Sequence, residues 1–343
     1  LDVQNGGRLR FATVERVLKG CVVGCGFFSQ FQVAAWRRMP DVELAGLCDA
    51  DPAKAARFGV GRVYTDLAAM LDAEKPDFLD IVTRPEQHLP MARMAADRGI
   101  HVLCQKPFAP SMEEAKEIAE ACRGVRLMVN ENWRFQAWYR EIKQLLDAGA
   151  IGEPFAFRFV HRANDGLLDP PYPSQPYFVS YPRFLIYETL IHYLDTSRYL
   201  FGELAVADCV TRKVNPKIAG EDLALITLRG AKIAGLIDGN RCSPLDEASP
   251  GESHAMGNLR IDGRGGTLWL DAGGRIVIEP RGGSRIEHRW EIPAVGYRGD
   301  SCYNTQRHFV DCLVSGAEFE TYAGDYLRSM QLVEDCYRLA AID

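Results

Sequence analysis

The sequence predicts an α/β protein in which a doubly wound parallel sheet is followed by an α+β domain with a large, mostly antiparallel sheet. Three observations lead there. An apolar run, Val22-Val23, turns on Gly24 and Gly26 into a helical stretch. Short apolar runs then alternate with helical stretches as far as Asn130. Past Arg134 the chain becomes rich in strands joined by glycine turns. The expected domains are 1–134 and 135–343.

The first turn sets the direction of the reading. A strand feeding straight into a helix needs a tight turn, and the backbone must approach a bound pyrophosphate with no Cβ between them. The helix then points its free N–H groups at the phosphates. Gly24-Cys25-Gly26-Phe27-Phe28-Ser29 gives G-x-G-x-x-S, with a serine where the dinucleotide fingerprint has a third glycine. A helix over Phe27–Met39 stops at Pro40, and a strand over Val42–Cys48 ends on Asp49. Asp49 lies 23 residues beyond Gly26, close to the offset at which a carboxylate receives the adenosine ribose hydroxyls. A phosphate on that ribose would meet its charge at about 4 kcal/mol per unit pair for an effective dielectric near 20. NAD is therefore expected over NADP. Asp51 suits the N-cap of a helix over Pro52–Phe58.

Strands at Phe78–Thr83, Ile100–Cys104 and Arg126–Asn130 alternate with helices at Gln87–Arg98 and Met112–Cys122. Ligands of such sheets bind beyond the carboxyl ends of the strands. That draws attention to Thr83-Arg84-Pro85, Gln105-Lys106-Pro107 and Asn130-Glu131-Asn132. A helix at Tyr139–Ala148 follows, then strands at Phe155–His161, Val206–Lys213, Leu223–Leu228, Lys232–Asp238, Leu259–Asp262, Thr267–Leu270 and Arg275–Glu279. Helices at Ser301–Ser315 and Gly324–Ala341 close the chain, the last one able to pack back on the first domain. A strand at Leu9–Val14 is expected in the N-terminal extension.

Composition narrows the function classes. A net charge of -6 without a basic cluster argues against nucleic acid as partner. The uncharged run Gly20–Trp36 spans 17 residues and contains three glycines, too short and too polar for a membrane span. The N-terminal residues lack the charged-then-apolar layout of a signal peptide. Ten cysteines at irregular spacings, without zinc-ligand patterns, suggest reduced thiols, a cytoplasmic location and no metal.

Gly24-Cys25-Gly26, the Asp49 strand end, Cys104-Gln105-Lys106-Pro107, Asn130 to Phe135 and Glu188 to Asp195 together resemble the glucose-fructose oxidoreductase, inositol dehydrogenase and MocA family, from Val17 to Ala341. The resemblance implies a Rossmann NAD domain, with Gly24, Cys25, Gly26, Phe27, Phe28, Asp49, Thr83, Arg84, His88, Gln105, Lys106 and Asn132 at the cofactor. It maps the family's substrate-contacting lysine to Lys106. Its Asp-x-x-x-His pair becomes Glu188 and His192, and the acidic residue before the lysine becomes Gln105.

The residues themselves support that helix. At 100° per residue Glu188, His192, Asp195 and Tyr199 fall within about 60° of arc, opposite Leu190, Tyr193, Leu194, Leu200 and Phe201, so one polar face can line a cleft. Substrate contacts are expected from His161, Asn164, Trp133 and Tyr303, with Leu168 to Arg183 as a specificity loop. Arg134 and His308 read as packing residues. By resemblance the chain transfers hydride between NAD and a hydroxyl-bearing carbon of a sugar, polyol or inositol-like substrate. In that reading His192 is the base, Glu188 orients its ring and Lys106 binds the reacting oxygen. The resemblance also admits a non-catalytic NAD sensor or an enzyme with tightly held NAD and no net redox. It implies a homodimer or homotetramer.

Overall fold

A computed structural model describes residues 16–243 and 258–340; the expected strand Leu9–Val14 lies outside them. Six parallel strands form the first sheet: β1 (Leu18–Val23), β2 (Val42–Cys48), β3 (Arg62–Tyr64), β4 (Phe78–Ile81), β5 (His101–Gln105) and β6 (Leu127–Asn130). Their order is β3-β2-β1-β4-β5-β6, so the progression of strands reverses between β1 and β4. The connecting helices are α1 (Ser29–Trp36), α2 (Pro52–Ala56), α3 (Leu67–Glu74), α4 (His88–Ala96) and α5 (Met112–Ala121).

α6 (Ala137–Asp147) leads to the second sheet: β7 (Pro154–Arg162), then, after α7 (Ile191–Phe201), β8 (Ala205–Arg212), β9 (Leu223–Arg229), β10 (Ala234–Asn240), β11 (Asn258–Gly263), β12 (Gly266–Leu270), β13 (Ile276–Pro280) and β14 (Ile286–His288). The order is β14-β13-β12-β11-β7-β10-β9-β8, antiparallel except for the β7–β10 pair. α8 (Ser301–Ser315) and α9 (Ala323–Leu339) end the described chain.

Periodicity explains these elements. β4, β5 and β6 are apolar almost throughout because helices cover both faces of the first sheet. β9 alternates buried Ala224, Ile226 and Leu228 with exposed neighbours, since only one face meets helices. Asp51 and Asp66 cap α2 and α3 by accepting from Ala53 and Ala69 N–H at 3.0 and 2.7 Å.

The last two helices return to the first sheet. α8 lies on α1 and α9 on α5 and α7, so one hydrophobic cluster runs from Cys21 and Ile81 through α9 to Leu228 and Ile261. A cleft opens between the carboxyl ends of the first sheet's strands and the segments of the second domain that carry Tyr177, Glu188 and Arg241.

Candidate active site

The cleft has a volume of about 680 Å³. Its floor is the first turn, where Gly24 has φ +90°, a conformation that side chains disfavour. A Cβ on Gly24 would stand 2.5 Å from the Val82 carbonyl oxygen, whereas one on Gly26 would point into open space of the cleft. That space is where a pyrophosphate fits. α1 begins there with no side-chain cap, leaving its first N–H groups for an anion. Phe27 and Phe28 flank the turn, and Asp49 accepts from Cys25 N–H at 2.8 Å and Asp51 N–H at 2.9 Å. Thr83, Arg84, Gln105 and Asn132, from the ends of β4, β5 and β6, complete this wall. Arg84 lies over the Tyr177 ring at 5.0 Å, and Asn132 donates to Ser301 Oγ at 2.8 Å.

Lys106 follows β5 and reaches across to the second domain. Its Nζ donates to Glu188 Oε1 at 2.7 Å and to the Glu188 carbonyl at 2.8 Å. Burial would push the Glu188 carboxyl up, but the Lys106 and Arg241 charges reverse this and hold it down at about 2. Glu188 sits on a π-helical turn, Leu185–Leu190, that precedes α7 and whose first N–H groups donate to the Glu221 carboxylate. His192 lies one turn on, stacked on Trp133 with ring centroids 4.5 Å apart and planes 9° from parallel. Its Nδ1 contacts Glu131 Oε1 at 2.5 Å, which leaves Nε2 toward the cleft that His192 lines. Burial, reinforced by Lys106, holds the imidazole well below its usual range and therefore neutral.

Two expectations are corrected here. Glu188 does not orient His192; it neutralises Lys106, and the carboxylate at the ring comes from Glu131, 61 residues earlier. Nor does the helix show a polar face to the cleft as a whole. Asp195 is fully buried beneath Arg134, and Tyr199 packs under Arg140.

Residues 18–132 match the family described as an oxidoreductase family with an NAD-binding Rossmann fold, and residues 139–269 match the GFO/IDH/MocA C-terminal domain. The chain is 37% identical to a D-apiose dehydrogenase of Paraburkholderia graminis, over 95% of this chain and 88% of that one. It is 35% identical to a D-apiose dehydrogenase of Rhizobium rhizogenes, over 94% and 95%. A crystal structure of an oxidoreductase from Agrobacterium radiobacter in complex with NAD+, L-tartaric acid and magnesium superposes with a TM-score of 0.86 at 34% identity, covering 95% of this chain and 96% of that one. The chain belongs to the GFO/IDH/MocA oxidoreductase family.

As a member of that family it is an NAD-dependent oxidoreductase, and the glycine turn and Asp49 fit the cofactor. Not every expected residue of this oxidoreductase reaches the cleft. Cys25 turns its thiol into the core behind the turn. His88 is fully buried, with Nδ1 3.0 Å from the Phe108 carbonyl and Nε2 3.1 Å from the Thr83 carbonyl, so it ties the β4 end to the β5 end. His161 lies buried against the Tyr193 hydroxyl at 3.0 Å. Asn164 is exposed beside the cleft, and Tyr303 packs under Arg38 at 4.5 Å. Trp133 does line the cleft.

Other lining residues carried little signal. Gln175, Tyr177, Phe178 and Tyr181 belong to the expected specificity loop. Arg241, just past β10, donates to Asp165 and to Thr189 Oγ1 and stacks on Tyr172, Phe178 and Phe184. Tyr297 and Arg298 come from the segment before α8. Among the described residues no three His, Cys, Asp or Glu side chains gather as metal ligands.

Proposed function

We propose that this enzyme oxidises a neutral aldose of the D-apiose type, with Lys106 binding the reacting oxygen and His192 taking the hydroxyl proton. One observation carries the assignment: Lys106, held at 2.7 Å by Glu188, and the neutral His192 share one cleft with the Gly24–Gly26 turn. NAD, when bound, accepts the hydride. Lys106 has one N–H left after its two bonds to Glu188, and that N–H stabilises negative charge developing on the substrate oxygen. His192 Nε2 accepts the proton as a general base, a contribution of roughly a hundred- to ten-thousand-fold.

The neighbouring charges support a neutral substrate. Lys106 is paired with Glu188 and Arg241 with Asp165, so these two cations are already neutralised by carboxylates of the chain rather than held ready for an acid. Tyr177 and Tyr181 offer ring faces and hydroxyls to a polyhydroxylated ring. D-apiose, other aldoses, polyols, inositols and L-tartrate, scanned for NAD reduction, test the reading. D-apiose or a related aldose should lead, and the Lys106→Ala variant should lose turnover while NAD affinity stays within a few-fold. Full turnover in that variant, or a preference for L-tartrate, contradicts the assignment.

The location and assembly follow the same line of reasoning. The ten cysteines are unpaired and nine are buried, which supports a reducing cytoplasm. Val210 and Leu225, opposite each other across β8 and β9, are 39% and 40% exposed, and this sheet face supports a homodimer or homotetramer contact.

A further inference from the structure

We infer that Glu131 is the positioning residue of the proton acceptor: its carboxylate fixes the proton of His192 on Nδ1 and so keeps Nε2 free to accept from substrate. The inference rests on the reading of His192 as base given above. It adds a residue that touches neither cofactor nor substrate, since Glu131 is fully buried behind the cleft wall.

The geometry is over-determined. Glu131 Oε1 meets His192 Nδ1 at 2.5 Å and also accepts from Trp133 N–H at 3.0 Å. Oε2 accepts from the Tyr326 hydroxyl of α9 at 3.1 Å. The Trp133 indole, next but one in the chain, lies flat on the imidazole. The loop after β6 thus holds the ring twice, by an edge contact to Nδ1 and by a stack on its face. A 2.5 Å contact between a ring nitrogen and a carboxyl oxygen contains a proton. If that proton sits on Nδ1, Nε2 carries a lone pair and the ring is a base. A proton taken from substrate enters at Nε2, and the ring so protonated is an acid, suited to the reverse reaction. In the oxidation the C–H bond breaks with its electron pair passing to NAD, the O–H proton moves to Nε2, and a C=O bond forms. The Nδ1 proton stays between ring and carboxylate, whose charge offsets that of the imidazolium.

The surroundings make that carboxylate decisive. Lys106 and Arg298 face the ring with positive charge, and Glu188 and Asp195 with negative charge. Around Glu131 itself stand Lys106, Arg134 and Tyr326. Burial pushes the Glu131 carboxyl up to about 7, against the pull of Trp133 N–H, Lys106, Arg134 and Tyr326.

The test uses the NAD-saturated full-length enzyme with D-apiose or the best aldose of the panel as probe. Glu131→Gln keeps the shape and an acceptor for Nδ1 but removes the charge. The expected result is a fall in kcat of about a hundredfold or more, KM within about twofold, and an acid limb of the kcat profile displaced to lower pH. Glu131→Asp restores the charge on a shorter arm and should return the limb toward its original position. Imidazole nitrogen and proton spectra of histidine-labelled enzyme should show a downfield Nδ1 proton that is absent from His192→Asn and displaced in Glu131→Gln. A folded Glu131→Gln enzyme with kcat and acid limb unchanged overturns the inference. Absence of the downfield proton in the wild type does so without reliance on any Glu131 variant. Full turnover by His192→Asn with the Nδ1 signal present in the wild type is a different failure, since it overturns the reading of His192 as base.

Discussion

Asp49 joins the cofactor turn to the choice of cofactor. Both its oxygens already accept backbone N–H groups, from Cys25 and Asp51, which hold the carboxylate at the end of β2. Lys54 lines the same end of the cleft, and Arg57 donates to the Cys25 and Gly26 carbonyls. Remove the Asp49 charge and these two cations dominate. Asp49→Ala should therefore narrow the ratio of kcat/KM for NAD over NADP by about tenfold or more, as the loss of about 1.4 kcal/mol of repulsion implies. A ratio unchanged within twofold would show that Asp49 does not select. Asp49 and Lys106 were legible because a strand end in a doubly wound sheet is a place where function is expected. The exchange of Glu131 for Glu188 at His192 was not legible. Sequence spacing pairs residues four apart on a helix, but the ring is gripped by a residue 61 positions away, which no local pattern reveals.

At the level of elements, β2 and α8 have the bounds the apolar pattern predicts, whereas β3 and α3 were not anticipated. β3 has only three residues and no buried side chain, so it leaves no alternation to read. α3 had a signal in Asp66, its N-cap, followed by Leu67, Met70 and Leu71 at helical spacing. The segment before α8 is different again, because it is fixed by contacts rather than by periodicity. Gly296, Arg298, Gly299 and Asp300 all have positive φ, at a cost of order 1–3 kcal/mol for each non-glycine residue. What holds it is a latch. Asp300 accepts from Arg38 Nη1 and Nη2 at 2.6 and 2.7 Å, and the Tyr297 ring lies 4.4 Å from Phe31 and 5.5 Å from Phe28. The latch keeps Tyr297 and Arg298 on the cleft beside the cofactor turn. Asp300→Asn tolerates the left-handed backbone and removes the ion pair. KM for NAD should rise about tenfold with kcat within about threefold, the pattern of lost uniform binding. An unchanged KM would mean that the latch does not act on the cofactor.

The whole molecule depends on a buried ion cluster that joins its two domains. Arg134, just past β6, donates from Nε and Nη2 to both Asp195 oxygens at 2.7 and 2.6 Å, and from Nη2 to Asp325 at 3.1 Å. Asp195 lies on α7 and Asp325 on α9, and Ser329 of α9 adds a hydroxyl to Asp195 at 2.7 Å. Its place after the fifth expected strand pointed to Arg134 as packing between domains, but its partners could not be named, since Asp195 read as a cleft residue. The helix that carries His192 is thus fixed to the Rossmann domain by a charge pair with almost no access to water. Such a pair gives little net stability over apolar packing, yet breaking it strands a charge at a cost of about 3–5 kcal/mol. Burial pushes the Asp195 carboxyl up, and Arg134, by charge and hydrogen bonds, opposes that together with the Ser329 hydroxyl. Arg134→Met should therefore lower the unfolding free energy by about that much and lower kcat as well, because α7 loses its anchor. Asp195→Asn in the same background removes the stranded charge, so the double variant should be more stable than Arg134→Met alone. Chemical denaturation of the four proteins in a double-mutant cycle measures the coupling. Purely additive effects would mean that the pair does not hold the domains together, and that apolar packing of α9 on α5 and α7 alone sets the position of His192 over the cofactor turn.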